Sequence, residues 1–385
     1  MHLARLGWDV LLLDRADFPR EKVCGDGLTP RAVHTLRALD LEPPIAERAY
    51  PIDAARLYAS PRADFTLPFR PYVAPLPPRG YVLPRLTLDD VLREHALSAG
   101  AQFLPGMRVT AFLRRDGRVV GVRGQHAAGQ SFEREARLVI LATGASIALL
   151  KALGLVRRPP HEVRAVRGYW RGVRHLQPRF EFFFVPDVAP GYAWMFPISA
   201  DTANIGVGLF APPGSTPRNA RHVLEHFLRQ HDEMRRRLGT AEQVGEIKGY
   251  PIRTDFPSHP VHGPGYLIVG EAAGLVNPVT GEGIDLAMES GVLAAEAAHA
   301  ALSRGDVSAA GLRPYERVLK RRFARTFRGL RLLRSRVMRP RALDILIRRA
   351  HRHPGMARRI MGITLGTVSP YTAFLPSTWW WILRG

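Results

Sequence analysis

The stretch from Tyr266 to Leu302 constrains the fold more tightly than any other part of the chain. Tyr266-Leu-Ile-Val269 is a short, unbroken apolar run, as expected of a strand covered on both faces of a parallel sheet. A loop with glycines at 270, 274, 281 and 283 follows, and then a long helical pattern from Ile284 to Leu302. Those glycines let the backbone approach a ligand closely, and Pro278 stiffens the turn. The helix entering at Ile284 directs its unpaired N–H groups and the positive end of its dipole into the loop. Packing alone needs a much shorter strand-to-helix connection. The segment therefore reads as the ligand-facing turn of an α/β sheet.

Other segments fit such a sheet. Leu3 to Leu6 reads as the last turn of a helix closed by Gly7, and Val10-Leu-Leu-Leu13 as a second doubly covered strand ending on Asp14. Thr87 to Leu97 has helical periodicity, with Thr87 and Asp90 in capping-box spacing and Gly100 beyond its end. Met107 to Val122 reads as a hairpin turning at Asp116-Gly117, and Leu138 to Ala142 as another buried strand. From Ala165 to Phe210 the alternation of apolar and aromatic residues predicts several antiparallel strands, and Arg218 to Leu238 a helix. A basic helical region closes the chain.

The expected fold is α/β: a discontinuous Rossmann-like parallel sheet with an inserted antiparallel β domain and a helical C-terminal region. The nucleotide-binding part takes residues 1–50, 80–155 and 256–310, the inserted substrate domain 51–79 and 156–255, and the basic helical region 311–385.

The opening of the chain is unusual for this pattern. A parallel strand at residues 10–13 should be the second of a strand-helix-strand unit, and the Gly-x-Gly-x-x-Gly turn of such a unit occurs nowhere in the sequence. The expectation is an upstream in-frame stretch of about 20 to 25 residues carrying that strand and turn. Asp14 stands where a nucleotide-binding sheet places an acid for a ribose, although acids also cap strand ends routinely.

Composition narrows the function classes. One cysteine, Cys24, rules out a disulfide framework and a cysteine-ligated zinc site, and suits a reducing cytoplasm. The formal charge of +21 raises nucleic acid as a partner. However, between Gly311 and Arg359 seventeen Arg or Lys face only Glu316 and Asp344, so +15 of that charge lies in one segment. Its basic side chains interleave with Leu, Val, Ile, Met and Phe at helical spacing. This suits amphipathic helices on an anionic membrane surface, or equally a solvated helical face, better than a specific nucleic-acid site.

Three blocks carry a family resemblance: Phe18 to Val33, which contains Val23-Cys-Gly-Asp-Gly-Leu28; Gly191-Tyr-Ala-Trp-Met-Phe-Pro197; and Gly270 to Ile284. In this order they resemble the signature blocks of the geranylgeranyl reductase family of FAD-dependent oxidoreductases, and the similarity runs from Leu3 to Tyr315. The resemblance implies FAD as cofactor and hydride transfer from reduced flavin to a carbon–carbon double bond of a prenyl or isoprenoid lipid. It places Asp14 at the ribose, Cys24, Gly25 and Gly27 beside the flavin, and Arg85 and Val109 at the adenine and pyrophosphate end. Gly270, Glu271, Gly281, Gly283 and Ile284 fall along the ribityl chain and ring. Tyr192, Trp194, Phe196 and Pro197 become substrate contacts, and residues 192, 194 and 196 share one face of a strand, an aromatic wall suited to an apolar chain. An ordinary core strand shows the same alternation. The family has Gly-Asp where this chain has Gly270-Glu271.

Cys24 is the candidate proton donor or adduct-forming thiol, with a small buried apolar role as the alternative. NADPH or a reduced electron carrier would supply electrons, and no metal is called for. Two other readings share these residues. A flavin-dependent monooxygenase or halogenase would use the same fold, but hydroxylases commonly show Ala-Asp-Gly where Ala142-Thr143-Gly144 stands. Halogenases carry Trp-x-Trp-x-Ile-Pro and need a lysine, of which the chain has only Lys22, Lys151, Lys248 and Lys320. A non-catalytic peripheral membrane protein would keep the basic region and Trp379-Trp380-Trp381 as an interfacial anchor. The expected location is cytoplasmic, peripheral at the inner face of the membrane.

Overall fold

A computed structural model describes residues 1–156, 163–210 and 218–378; Trp379 to Trp381 lie outside them. The parallel pairing expected from the apolar runs forms in two pieces. Leu11–Leu13 runs parallel to Gln102–Leu104, and Val139–Leu141 runs parallel to Tyr266–Ile268. The helix Ile284–Ser303 buries Ala294, Ala298 and Ala301 fully in the same core as the second piece, packed closely on the helix Ala309–Leu319. Tyr315, from the following helix, donates its hydroxyl to the Ile268 carbonyl at 2.9 Å.

Two local expectations change. Leu11 is 38% exposed, so the first strand is not covered on both faces; it borders a large cavity. The helix expected from Thr87 begins at Arg85, which puts Thr87 inside it. Its entry is capped from outside, by Asp26 Oδ1 accepting from the Arg85 N–H at 3.3 Å. Gly100, at φ +95°, closes it as expected. The hairpin turns at Asp116 (φ +51°) and Gly117 (φ +75°), the positive pair that a two-residue turn needs, and Ser131–Glu135 adds a third strand.

Among the described residues the inserted sheet has seven strands. Residues 163–252 supply five of them and 54–68 the other two, in the order 242–252, 163–171, 202–210, 191–197, 179–183, 54–60, 63–68. It is mixed: Arg179–Phe183 pairs parallel with Ala54–Tyr58, while the rest is antiparallel. Its back face is closed by the helix Ala220–Gln230, whose Val223, Leu224 and Phe227 pack on Ala193, Met195 and Val207. Asn219 caps that helix, accepting from Arg221 and His222. The single helix expected over 218–238 is two, because His231 adopts an extended backbone (ψ 122°) between Gln230 and Asp232.

The front face of the sheet is covered by the C-terminal helices Arg325–Val337, Pro340–Arg352 and Pro354–Thr364. Met338, Ala350, Met356 and Met361 pack with Tyr192, Trp194 and Phe196 in one core. Much of the apolar side of the basic region is thus turned inward, onto the protein's own core.

Candidate active site

One cavity of about 2050 Å³ connects these parts. It begins at the ends of the strands Leu11–Leu13 and Val139–Leu141 and passes the glycine loop. From there it runs along the front of the seven-stranded sheet and between the C-terminal helices. Asp14, Cys24, Gly25, Gly27, Arg85, Val109, Gly270, Glu271, Gly281, Gly283 and Ile284 all line it. So do Tyr192, Trp194 and Phe196. Pro197 does not; strand alternation puts it on the opposite face with Ala193 and Met195, so it makes no contact with the cavity.

The aromatic wall touches both loops. A Cβ added to Gly25 would stand 3.4 Å from the Phe196 and Trp194 side chains, and one on Gly27 would stand 3.2 Å from Phe180. Gly281, at φ +69°, would set a Cβ 3.2 Å from the Tyr192 hydroxyl, which donates to the Thr280 carbonyl. Glycine is needed here for both reasons, the left-handed backbone and the close approach.

A buried hydrogen-bond chain ties the wall to the Cys24 loop. Trp194 Nε1 donates to Asn204 Oδ1 at 3.0 Å, and Asn204 Nδ2 donates to the Cys24 carbonyl and to Asp26 Oδ2, both at 2.8 Å. Tyr169 donates to the same Asp26 oxygen at 2.6 Å. Asp26 is fully buried and holds a left-handed backbone, φ +62°, unusual for a residue with a side chain. Burial raises its carboxyl to about 6 against the pull of Tyr169 and Asn204. Burial also pushes the Cys24 thiol up, which keeps it protonated. The Lys22 ammonium is lowered by burial and by Arg85, with Glu271 acting in the opposite sense.

The glycine loop carries its own acids. Burial and the neighbouring Asp285 raise Glu282 to about 8. Arg31 holds Asp285 at 3.3 Å and Glu289 at 2.5 Å, which fixes the first turns of the helix Ile284–Ser303 against the helix Pro30–Ala38. At the far end, Asp14 is engaged by Arg20 at 3.1 Å, Arg20 reaches Asp89 at 3.0 Å, and Arg85 binds Asp89 at 2.6 and 2.8 Å. Asp14 and Arg85, expected at the same end of a nucleotide, are joined through this chain.

The residues fit a flavin at the loop end. Thr143 Oγ1 is buried without a hydrogen-bond partner, beside Gly144 at φ +60°. Gly270, at φ +58°, passes so close to the helix that a Cβ would meet Ala287 at 3.0 Å. The helix Ile284–Ser303 enters without a side-chain cap, and its entry residues Gly283 and Ile284 line the cavity. Among the described residues no group of His, Cys, Asp or Glu is placed to hold a metal ion. The sequence reading gave no site role to Lys22, Asp26, Thr143 or Glu282, all cavity-lining, although three of the four lie inside the quoted blocks. It also passed over the C-terminal lining, including Leu333, Leu343 and Ile360, for which the only signal was amphipathic spacing.

The family described as FAD binding domain matches residues 1–328. Menaquinone reductase of Mycobacterium tuberculosis is 34% identical over 311 residues, 76% of this chain and 71% of that one. Digeranylgeranylglycerophospholipid reductase 2 of Methanopyrus kandleri is 32% identical over 330 residues, 84% and 79% of the two chains. Among solved structures, a geranylgeranyl bacteriochlorophyll reductase-like protein of Thermoplasma acidophilum superposes with a TM-score of 0.81 at 22% identity, covering 99% of this chain and 94% of that one. The flavin-dependent brominase Bmp2 superposes with a TM-score of 0.76 at 19% identity, covering 96% and 89%. At these identities the two structures speak to the fold alone.

Proposed function

This chain belongs to the FAD-binding-domain family, as a geranylgeranyl-reductase-like FAD-dependent oxidoreductase, and on that premise we propose that it reduces carbon–carbon double bonds in the prenyl chain of an isoprenoid lipid. One observation carries the reading. The cavity passes without interruption from the glycine loop to a wall of Tyr192, Trp194 and Phe196 and on between aliphatic C-terminal helices, a shape for an extended apolar chain.

In this reading Gly270, Gly281, Gly283 and Ile284 hold the ring and ribityl chain of FAD, with Glu271 and Lys22 at its polar edge. Gly25 and Gly27 pass beside the ring, while Asp14, Arg85 and Val109 serve the nucleotide end. When bound, FAD supplies the hydride, and NADPH or a reduced electron carrier replenishes it. The aromatic wall orients the alkene and excludes water. Cys24 is held as a thiol, which suits proton donation better than adduct formation by a thiolate. Asp26, hydrogen-bonded by Tyr169 and Asn204 directly after the Cys24 loop, fixes that loop. The protein would act from the cytoplasm, peripheral to the membrane; no described helix is long and apolar enough to cross one.

The test is direct. Purified protein should show flavin absorbance after incubation with FAD. Once reduced anaerobically, it should be reoxidised by a geranylgeranyl lipid or by menaquinone, with a mass gain of one H2 per saturated bond. Flavin that reoxidises only with oxygen and halide, yielding a halogenated product, would reject the reading in favour of the halogenase alternative.

A further inference from the structure

The cavity reaches the surface among the C-terminal helices as well as at the nucleotide end. Two residues there, Ile345 and Phe374, line the cavity and are nevertheless 39% and 37% exposed. Side chains that do both mark a mouth. Leu375, next to Phe374 in the chain, is 46% exposed. An apolar rim at a cavity mouth is costly in water and favourable against hydrocarbon.

The helix Pro340–Arg352 shows what surrounds that mouth. Leu343, Leu346 and Ala350 fall on its inner side in the aromatic core, and Ile347 is buried on the same side. Arg341, Ile345, Arg348 and Arg352 recur at the spacing of one stripe on the opposite side, and all four are exposed. One acid, Asp344, pairs with Arg348 at 2.7 Å. Arg336 and Arg339, just before the helix, are exposed too. The outward face is therefore a basic strip with one apolar residue at its centre, and that residue stands at the opening.

We infer that this face docks on an anionic lipid bilayer and that the mouth at Ile345 and Phe374 admits the prenyl chain directly from the leaflet. The inference rests on the reading that the cavity accepts a prenyl lipid. Charge decides between possible occupants: a second copy of this chain would bring another basic strip against the first, whereas anionic headgroups complement it. The inward use of the helix's apolar side limits insertion to the rim residues, so contact is shallow and depends on charge as much as on burial. A substrate with a long apolar tail never has to cross water on this route.

The experiment uses the full chain loaded with FAD and vesicles of phosphatidylcholine alone or mixed with phosphatidylglycerol. The protein should float with the mixed vesicles, fail to float with the neutral ones, and be released by high salt. The double variant Arg339→Glu/Arg341→Glu, whose side chains lie off the cavity, should bind mixed vesicles on the order of tenfold or more weaker. It should keep its flavin and reduce detergent-dispersed lipid at the parental rate. An environment-sensitive dye on Ile345→Cys should shift to the blue with mixed vesicles, with the unsubstituted chain as the labelling control. Equal flotation with neutral and mixed vesicles, unchanged binding by the charge-reversed variant, or a dimer that only the charge reversal dissolves would each overturn the inference. If vesicles bind as stated but no lipid is reduced even in detergent, the proposed reaction fails and the docking face stands. If detergent-dispersed lipid is reduced and vesicles do not bind, the reverse holds.

Discussion

Tyr169 donates its hydroxyl to Asp26 across 2.6 Å, joining an inner strand of the seven-stranded sheet to the loop that carries Cys24. The two residues are 143 positions apart, and Asn204 reaches the same carboxylate oxygen from the adjacent strand. The inserted sheet thereby holds the loop that the nucleotide-binding part presents to the cavity.

Asp26 should give the protein a pH-dependent stability. Its carboxyl lies at about 6 in the fold against 3.8 when unfolded, so the protonated form is the one the fold favours. Its contribution is complete below about pH 4 and is lost as pH rises through about 6, amounting to about 3 kcal/mol. Urea unfolding at a series of pH values should show this slope in the parent and a flatter one in Asp26→Asn. Superimposable slopes would remove Asp26 as its source.

Glu282 should couple flavin binding to pH. Its carboxyl, raised to about 8, ionises as pH rises through that range and places a negative charge in the loop assigned to the flavin. FAD affinity should fall by up to about tenfold per pH unit above that point, and Glu282→Gln should abolish the fall while binding normally at pH 7. Fluorescence titration of FAD between pH 6 and pH 9, roughly the range bracketing the transition, reads both.

Gly281→Ala should cost stability and cofactor together. The left-handed backbone penalises a side chain by about 1–2 kcal/mol, and the new methyl presses on the Tyr192 hydroxyl. A lowered melting temperature that bound FAD only partly restores is expected. A variant as stable as the parent would mean the loop relaxes freely.

Trp194→Phe keeps a ring on the wall but leaves Asn204 Oδ1 without its donor, costing about 1–3 kcal/mol. Prenyl-lipid affinity should change less than stability does. If calorimetry finds the fold untouched, the chain from Trp194 to Asp26 does not carry load.

Cys24→Ala should lower the rate of lipid reduction by about a hundredfold if the thiol delivers the proton, with little change in FAD binding. Stopped-flow reoxidation of reduced enzyme by lipid measures that step alone. Undiminished rates would return Cys24 to a packing role.

Much of this architecture is legible in the chain because it depends on local sterics. The positive backbone angles at Gly270, Gly274 and Gly281, the Asp116-Gly117 turn and the alternation of Tyr192, Trp194 and Phe196 follow from what each residue permits its own backbone to do. The same alternation turns Pro197 away from the cavity, a consequence visible in the spacing and overridden by its place in the family block. The two edges of the helix at 218–238 were equally legible; its break at His231 was not, since nothing local forbids a histidine from continuing a helix.

What only the tertiary structure decided is who faces whom. Amphipathic spacing in Pro340–Arg352 states that the helix has an apolar side but not whether protein or lipid covers it, because both offer the same escape from water. Packing against the aromatic sheet answers that question and leaves the arginine strip outside. Likewise the glycine pattern announces a ligand loop, while Asp26 and Glu282 acquire their shifted ionisation from desolvation in the assembled chain, with the nearby Asp285 adding to it at Glu282. Backbone freedom is a property of the residue and can be read in sequence; burial is a property of the assembled chain and cannot.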